Sequence, residues 1–214
     1  MVVRDPVKIL ISNYPEDKSE ELSIVNNPEN PESGSRNVVF GKQLYIEKSD
    51  FLETPPKKYF RLSPGNEVRL KGAYIIKAEK VIKNSDGKII EIVCTYDPNS
   101  KSGSGSPESQ RKVKGTLHWV SYDSNIPVEI REYDRLFEHP SPGDFSTDEI
   151  EKAINKDSIK IFQGFGEKQL MHSSVGDSFQ FQRKGYYIKD KDSSGSMHVF
   201  NKTVSLRDNW KNRN

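Results

Sequence analysis

Lys57-Lys58-Tyr59-Phe60-Arg61-Leu62-Ser63-Pro64-Gly65-Asn66-Glu67-Val68-Arg69-Leu70-Lys71-Gly72-Ala73-Tyr74-Ile75-Ile76-Lys77 places a concentration of positive charge on a segment with the apolar pattern of β-strands. Between residues 57 and 83 stand eight basic side chains (Lys57, Lys58, Arg61, Arg69, Lys71, Lys77, Lys80, Lys83) against Glu67 and Glu79, while the whole chain carries only +2. Successive strand residues point to opposite faces, so Glu67, Arg69 and Lys71 share one face and Val68 and Leu70 the other. Cations held on a rigid, half-buried surface suit an anionic, planar partner, and a nucleic acid is the natural candidate.

The 214 residues suffice for one large domain or two small ones with a real core. Mean hydropathy is −0.79. No apolar run approaches the ~18 residues of a membrane helix, and the N-terminus lacks the basic-then-apolar order of a signal peptide. Cys94, the single cysteine, permits no internal disulfide, which fits a reducing cytoplasm. Cys94 and the four scattered histidines have no metal-ligand spacing, so no metal site is expected. The isoelectric point near 8.4 is below that of a strongly basic binding domain, so a nucleic-acid site has to be local.

Short strand patterns separated by turn residues dominate the rest. Residues 7–11 (Val-Lys-Ile-Leu-Ile) open the series; 26–36, with two prolines and Gly-Ser, read as a loop or a crossover between two bodies. Residues 38–46 read as a strand pair or one strand bent at Gly41. Residues 74–82 and 89–95 flank Asn84-Ser85-Asp86-Gly87, a hairpin signature. Residues 99–110 are Ser/Gly-rich and read as a mobile tip, followed by strands at 112–120 and 128–133. Ser146-Thr147-Asp148-Glu149 is a capping box, with a helix expected over 147–155 as a connector. Further strands are expected at 159–162, 178–182, 186–188 and 199–206. The pattern predicts an all-β chain of barrels or sandwiches.

Lys112-Val113-Lys114-Gly115-Thr116-Leu117-His118-Trp119-Val120-Ser121 and Pro127-Val128-Glu129-Ile130-Arg131-Glu132-Tyr133, then Leu136-Phe137, resemble the C-terminal anticodon-binding region of glutaminyl-tRNA synthetase, a class I aminoacyl-tRNA synthetase family. The resemblance extends to Asp5-Pro6-Val7-Lys8, Gly34-Ser35-Arg36, Cys94-Thr95-Tyr96-Asp97, Gln163-Gly164-Phe165, Phe179-Gln180-Phe181 and the stretch from Asn201 to Trp210. It implies two antiparallel β-barrels with one short connecting helix: a discontinuous proximal barrel from 1–25 and 126–214, and a distal barrel from 26–125. The implied partners are the anticodon loop of glutamine tRNA and an N-terminal catalytic domain of the same polypeptide. The implied state is a cytoplasmic monomer. ATP with magnesium is expected only in that catalytic domain. The His-x-Gly-His element and the Met-Ser-Lys type loop of class I enzymes are absent from these residues, so no cofactor and no catalytic residue are assigned to them.

The resemblance places Arg61, Arg69, Lys71 and Lys58 among the anticodon contacts of the distal barrel. It places Gln180 and Arg183 at positions associated with the middle anticodon base. Without it, a basic strand face is more often a solvated, salt-bridged surface, and Gln180 an outward residue alternating with Phe179 and Phe181. The chain departs from the family pattern at Lys71, Gly72, Phe60 and Gln182. Trp119, Trp210, Tyr133 and Phe137 are expected in the core or in packing between the barrels, not as base-stacking surfaces. Tyr59 and Phe60, beside the basic positions, are open to both core and base-stacking readings. A reading from another class is a stand-alone β-barrel module that binds RNA or protein without a synthetase attached.

Overall fold

The computed structural model describes residues 1–206, so Trp210, with the end of the last family-like block, lies outside the described residues. The chain is almost wholly β. Fifteen strands run in order: β1 (Val2–Val3), β2 (Pro6–Ile11), β3 (Glu20–Val25), β4 (Ser35–Phe40), β5 (Gln43–Glu47), β6 (Glu67–Leu70), β7 (Ile75–Lys83), β8 (Ile89–Tyr96), β9 (Thr116–Leu117), β10 (Val120–Ser121), β11 (Asn125–Tyr133), β12 (Ile159–Glu167), β13 (Ser178–Phe181), β14 (Gly185–Lys189) and β15 (His198–Val204). Two compact units result, Met1–Ile126 with Gly164–Leu170, and Pro127–Gln163 with Met171–Asn214. Their sheets are curled half-barrels, as the two-barrel reading requires.

In the first unit, seven strands lie in the order β10-β5-β2-β8-β7-β6-β9. Val7, Ile9 and Ile11 alternate into the core from β2, the pattern of a strand with one buried face. β2 lies antiparallel to β5 and parallel to β8. β2 and the strands up to Ile126 fall in one compact unit, while β1 pairs antiparallel with β12 in the six-stranded sheet. Parallel pairing also joins β6 to β9, and β11 to β15 in the second unit. The sheets are therefore mixed: most pairs, β2–β5 and β10–β5 among them, are antiparallel, while β2–β8, β6–β9 and β11–β15 run parallel.

β3 and β4 form a hairpin, Glu20 opposite Phe40 through Val25 opposite Ser35. The Pro-rich stretch, read as a loop or a crossover, is the loop of this hairpin. Asn30 accepts from the Glu32 amide at 3.1 Å, Asn26 Nδ2 donates to the Ser33 carbonyl at 2.8 Å, and Gly34 takes the left-handed φ of +66° that closes the loop. The core beneath is aromatic: Phe40 meets Tyr14, Tyr74 and Trp119 with ring centroids 5.4, 5.2 and 5.3 Å away.

In the second unit β11, β15, β14 and β13 are neighbours in that order. Phe181, Tyr187 and Phe200 form its core, with Phe181 stacked on Tyr187 at 4.5 Å. Tyr133, expected in the core, is exposed and donates to Asn201 Oδ1 at 3.2 Å. Ser146 and Glu149 form the expected capping box at the start of α1 (Thr147–Ile150), which tightens to a 3-10 turn over Glu151–Ala153 and stops short of residue 155. Among the described residues no helix is long and apolar enough to cross a membrane.

Candidate nucleic-acid interface

The basic stretch folds into one wall of a cleft of about 440 Å³ in the first unit. Pro55, Pro56, Lys58, Tyr59, Phe60 and Arg61 form that wall. Asn66, Glu67 and residues 112–115 complete the lining. Backbone bonds hold the wall: Leu62 N donates to the Asp50 carbonyl at 3.0 Å and Leu52 N to the Leu62 carbonyl at 3.2 Å, while Leu62 itself is fully buried. At the base, Gly115 comes so close that a Cβ there would lie 2.2 Å from the Phe60 carbonyl oxygen, so only glycine allows the two segments to meet. Lys58 adopts φ +65°, a left-handed conformation that costs a non-glycine residue roughly 1–2 kcal/mol. Such strain persists where the surrounding structure imposes it, often at ligand-contacting segments.

Arg61 is anchored and still presented. Its Nη1 lies 3.1 Å from Asp50 Oδ1 and donates to the Ser49 carbonyl at 3.1 Å. Asp50 is 1% exposed and the Arg61 side chain 44%, so a buried carboxylate anchors a guanidinium that remains partly exposed in the cleft lining. Lys112 and Lys114, which the sequence reading left inside a strand, add two cations to the opposite lining. Glu67, the acid of this lining, is engaged by Arg111.

Arg69 and Lys71 do not line the cleft. Arg69 Nη1 donates to the Ser100 carbonyl at 2.7 Å and Ser102 Oγ at 3.2 Å; Nη2 donates to the carbonyls of Ser109 at 2.9 Å and Arg111 at 3.2 Å. Its geometry is that of a clamp on residues 100–111, within the stretch whose composition suggests a mobile tip. Burial, with the Arg111 charge nearby, pulls the Arg69 guanidinium below its ordinary value. Lys71 follows β6, its carbonyl accepting from the Trp119 indole at 3.0 Å. Burial and the Arg36 charge lower the Lys71 ammonium, opposed by Glu167; Arg36 Nη2 donates to Glu167 Oε1 at 2.8 Å.

In the second unit, Gln180 and Arg183 share the β13–β14 hairpin. Gln180 is exposed opposite Tyr186, on the face away from Phe179 and Phe181. Arg183 occupies the turn at φ +63°, beside the Lys184 amide that donates to the Phe181 carbonyl at 2.9 Å. Cys94 is buried, and desolvation pushes its thiol above the ordinary range. Among the described residues no three His, Cys, Asp or Glu side chains gather as metal ligands do.

Two sequence profiles, both described as tRNA synthetases class I (E and Q), anti-codon binding domain, match residues 1–97 and 116–190. The chain is 46% identical over 213 residues to the glutamine--tRNA ligase of Bradyrhizobium diazoefficiens, covering 98% of this chain and 37% of that protein. With the glutamine--tRNA ligase of Clostridium kluyveri it shares 47% over 212 residues, 99% of this chain and 38% of the relative. With that of Vibrio vulnificus it shares 47% over 211 residues, 98% and 37%. The chain thus spans little more than a third of the length of these relatives.

Proposed function

The chain belongs to the anticodon-binding domain family of the class I tRNA synthetases for glutamate and glutamine, and from that premise we propose that it is the anticodon-recognition part of a glutamine–tRNA ligase. We propose a distal anticodon-binding barrel over 26–125 and a discontinuous proximal barrel from 1–25 and 126–214. Its partners are glutamine tRNA and, in a longer polypeptide, a catalytic domain that charges this tRNA with glutamine using ATP and magnesium. A monomer working in the cytoplasm completes the reading.

The observation that carries it is the cleft with Arg61. A guanidinium oriented by a buried Asp50, beside Lys58, Lys112 and Lys114, combines a base-reading fork with cations for the neighbouring phosphates. Glutamine anticodons end in guanine, which offers O6 and N7 as adjacent acceptors for such a fork. Losing a bidentate contact of this kind costs about 1–3 kcal/mol, roughly 5- to 150-fold in kcat/KM. The test compares full-length wild type and Arg61→Ala on tRNA with guanine or adenine at the third anticodon position. Strong non-additivity is expected, and Arg61→Lys should recover only part of the loss because an ammonium lacks the planar fork. Additive effects would sink the base-reading role.

Gln180 and Arg183 supply a second expectation. Alanine at either position should impair charging of tRNA with the cognate middle uridine more than of tRNA with another base there. Equal losses on both tRNAs would reduce the hairpin to backbone contacts.

A further inference from the structure

Phe60 is 51% exposed and lines the cleft together with Arg61 and Lys114. Lys114 Nζ lies 5.6 Å from the ring centroid. Backbone packing against Gly115 fixes the segment that carries the ring. An exposed ring with cations beside it presents a flat face for a base and partners for its phosphate. We propose that Phe60 is the stacking platform for the base engaged by Arg61, and that Lys112 and Lys114 hold the phosphate beside that base; this rests on the anticodon-binding reading above. Stacking of a base on an aromatic ring outweighs an exposed cation–π contact, so an arriving base displaces the Lys114 ammonium from the ring face. The freed ammonium then has a phosphate oxygen as its partner. Arg61 supplies identity at the base edge, and Phe60 supplies affinity from the base plane without regard to identity.

The test uses the 214-residue chain and a stem-loop RNA carrying the anticodon of glutamine tRNA, by fluorescence anisotropy across a salt series. Each protein is measured on RNA with guanine and with an abasic site at the third anticodon position. Phe60→Ala should weaken binding to the guanine RNA about 5- to 150-fold and leave binding to the abasic RNA within roughly twofold, because the abasic RNA has nothing to stack. Phe60→Trp should bind the guanine RNA as well as wild type, and unchanged thermal melting of both variants shows that the fold is intact. Lys112→Ala and Lys114→Ala should each lower the slope of log affinity against log salt by about 0.7, the contribution of one single-strand phosphate. Equal losses from Phe60→Ala on both RNAs, failure of Phe60→Trp to bind, or unchanged salt slopes would overturn the proposal while leaving the anticodon reading in place. Absence of wild-type binding at low salt would overturn that reading, and the stacking role with it.

Discussion

Arg69→Ala is expected to release residues 100–111 from the first unit and to weaken RNA binding evenly, whatever bases the anticodon carries. The guanidinium donates to the carbonyls of Ser100, Ser109 and Arg111 and to the Ser102 hydroxyl, so one side chain satisfies acceptors spread along the whole loop. Hydrogen bonds to a charged donor are worth about 1.5–3 kcal/mol each, but they share one donor and the freed carbonyls of this half-exposed loop regain water. The net loss of stability should be roughly 2–4 kcal/mol. Lysine should not rescue it, since a compact ammonium cannot span carbonyls that a planar fork reaches together. The consequence for binding is indirect. Arg111, at the end of the loop, holds Glu67 and Glu108, and Lys112 and Lys114 of the cleft follow immediately. Trypsin should cut Arg69→Ala quickly at Lys101 or Arg111, and affinity should fall by a similar factor for RNAs altered at any anticodon position. A loss confined to one altered base would establish direct base reading by Arg69 instead, and unchanged resistance to trypsin would sink the clamp.

Local chemistry was legible in the sequence wherever a few neighbouring residues decide the conformation. Asp86-Gly87 marks the β7–β8 turn because Gly87 takes φ +75° and Asn84 Oδ1 accepts the amides of Asp86 and Lys88 at 3.1 and 2.9 Å. The capping box of α1 was legible for the same reason. Long-range pairing was not. Nothing in Val-Lys-Ile-Leu-Ile says whether β2 enters a sheet beside β5 and β8 or joins strands beyond residue 126, because alternation specifies a buried face and not its neighbour. β3 had its signal in the spacing of Leu22 and Ile24, both buried, but its edge position and the flanking acids Glu20 and Glu21 hide it.

For the cleft, the basic strand face was legible and its occupancy was not. Glu67, Arg69 and Lys71 alternate as expected, yet the side chain of Arg69 is covered by a Ser/Gly-rich segment whose composition suggests mobility. A half-buried arginine in need of carbonyl partners would have pointed to an ordered loop. Asp50 orients Arg61 through a bridge between Phe51 and Leu62, a contact with no local signature in sequence. Lys112 and Lys114 carried a usable signal: two lysines of one alternation face, immediately before a glycine.

Trp119→Ala should lower the stability of the first unit by about 3–5 kcal/mol, the range for truncating a buried aromatic. Trp119 is 0% exposed, meets Phe40 edge-on at 5.3 Å, and lies between β9 and β10. Phe40 in turn touches Tyr14 and Tyr74, so the cavity left by alanine opens into a ring cluster that is close-packed and relaxes little. Trp119→Phe separates volume from hydrogen bonding. It keeps most of the ring but removes the indole N–H that donates to the Lys71 carbonyl, leaving a backbone acceptor unsatisfied at a cost of about 1–3 kcal/mol. Denaturant unfolding followed by far-ultraviolet circular dichroism measures both variants. The expected order is wild type, then Trp119→Phe, then Trp119→Ala, with the larger step on losing the ring. If phenylalanine matches wild type, the bond to Lys71 contributes nothing and the carbonyl finds water. If phenylalanine is as damaging as alanine, that hydrogen bond outweighs the ring in fixing the end of β6. Binding measured on the folded fraction should survive either change, because Trp119 does not line the cleft that holds Arg61. A loss of affinity in fully folded Trp119→Phe would tie Lys71 to the RNA.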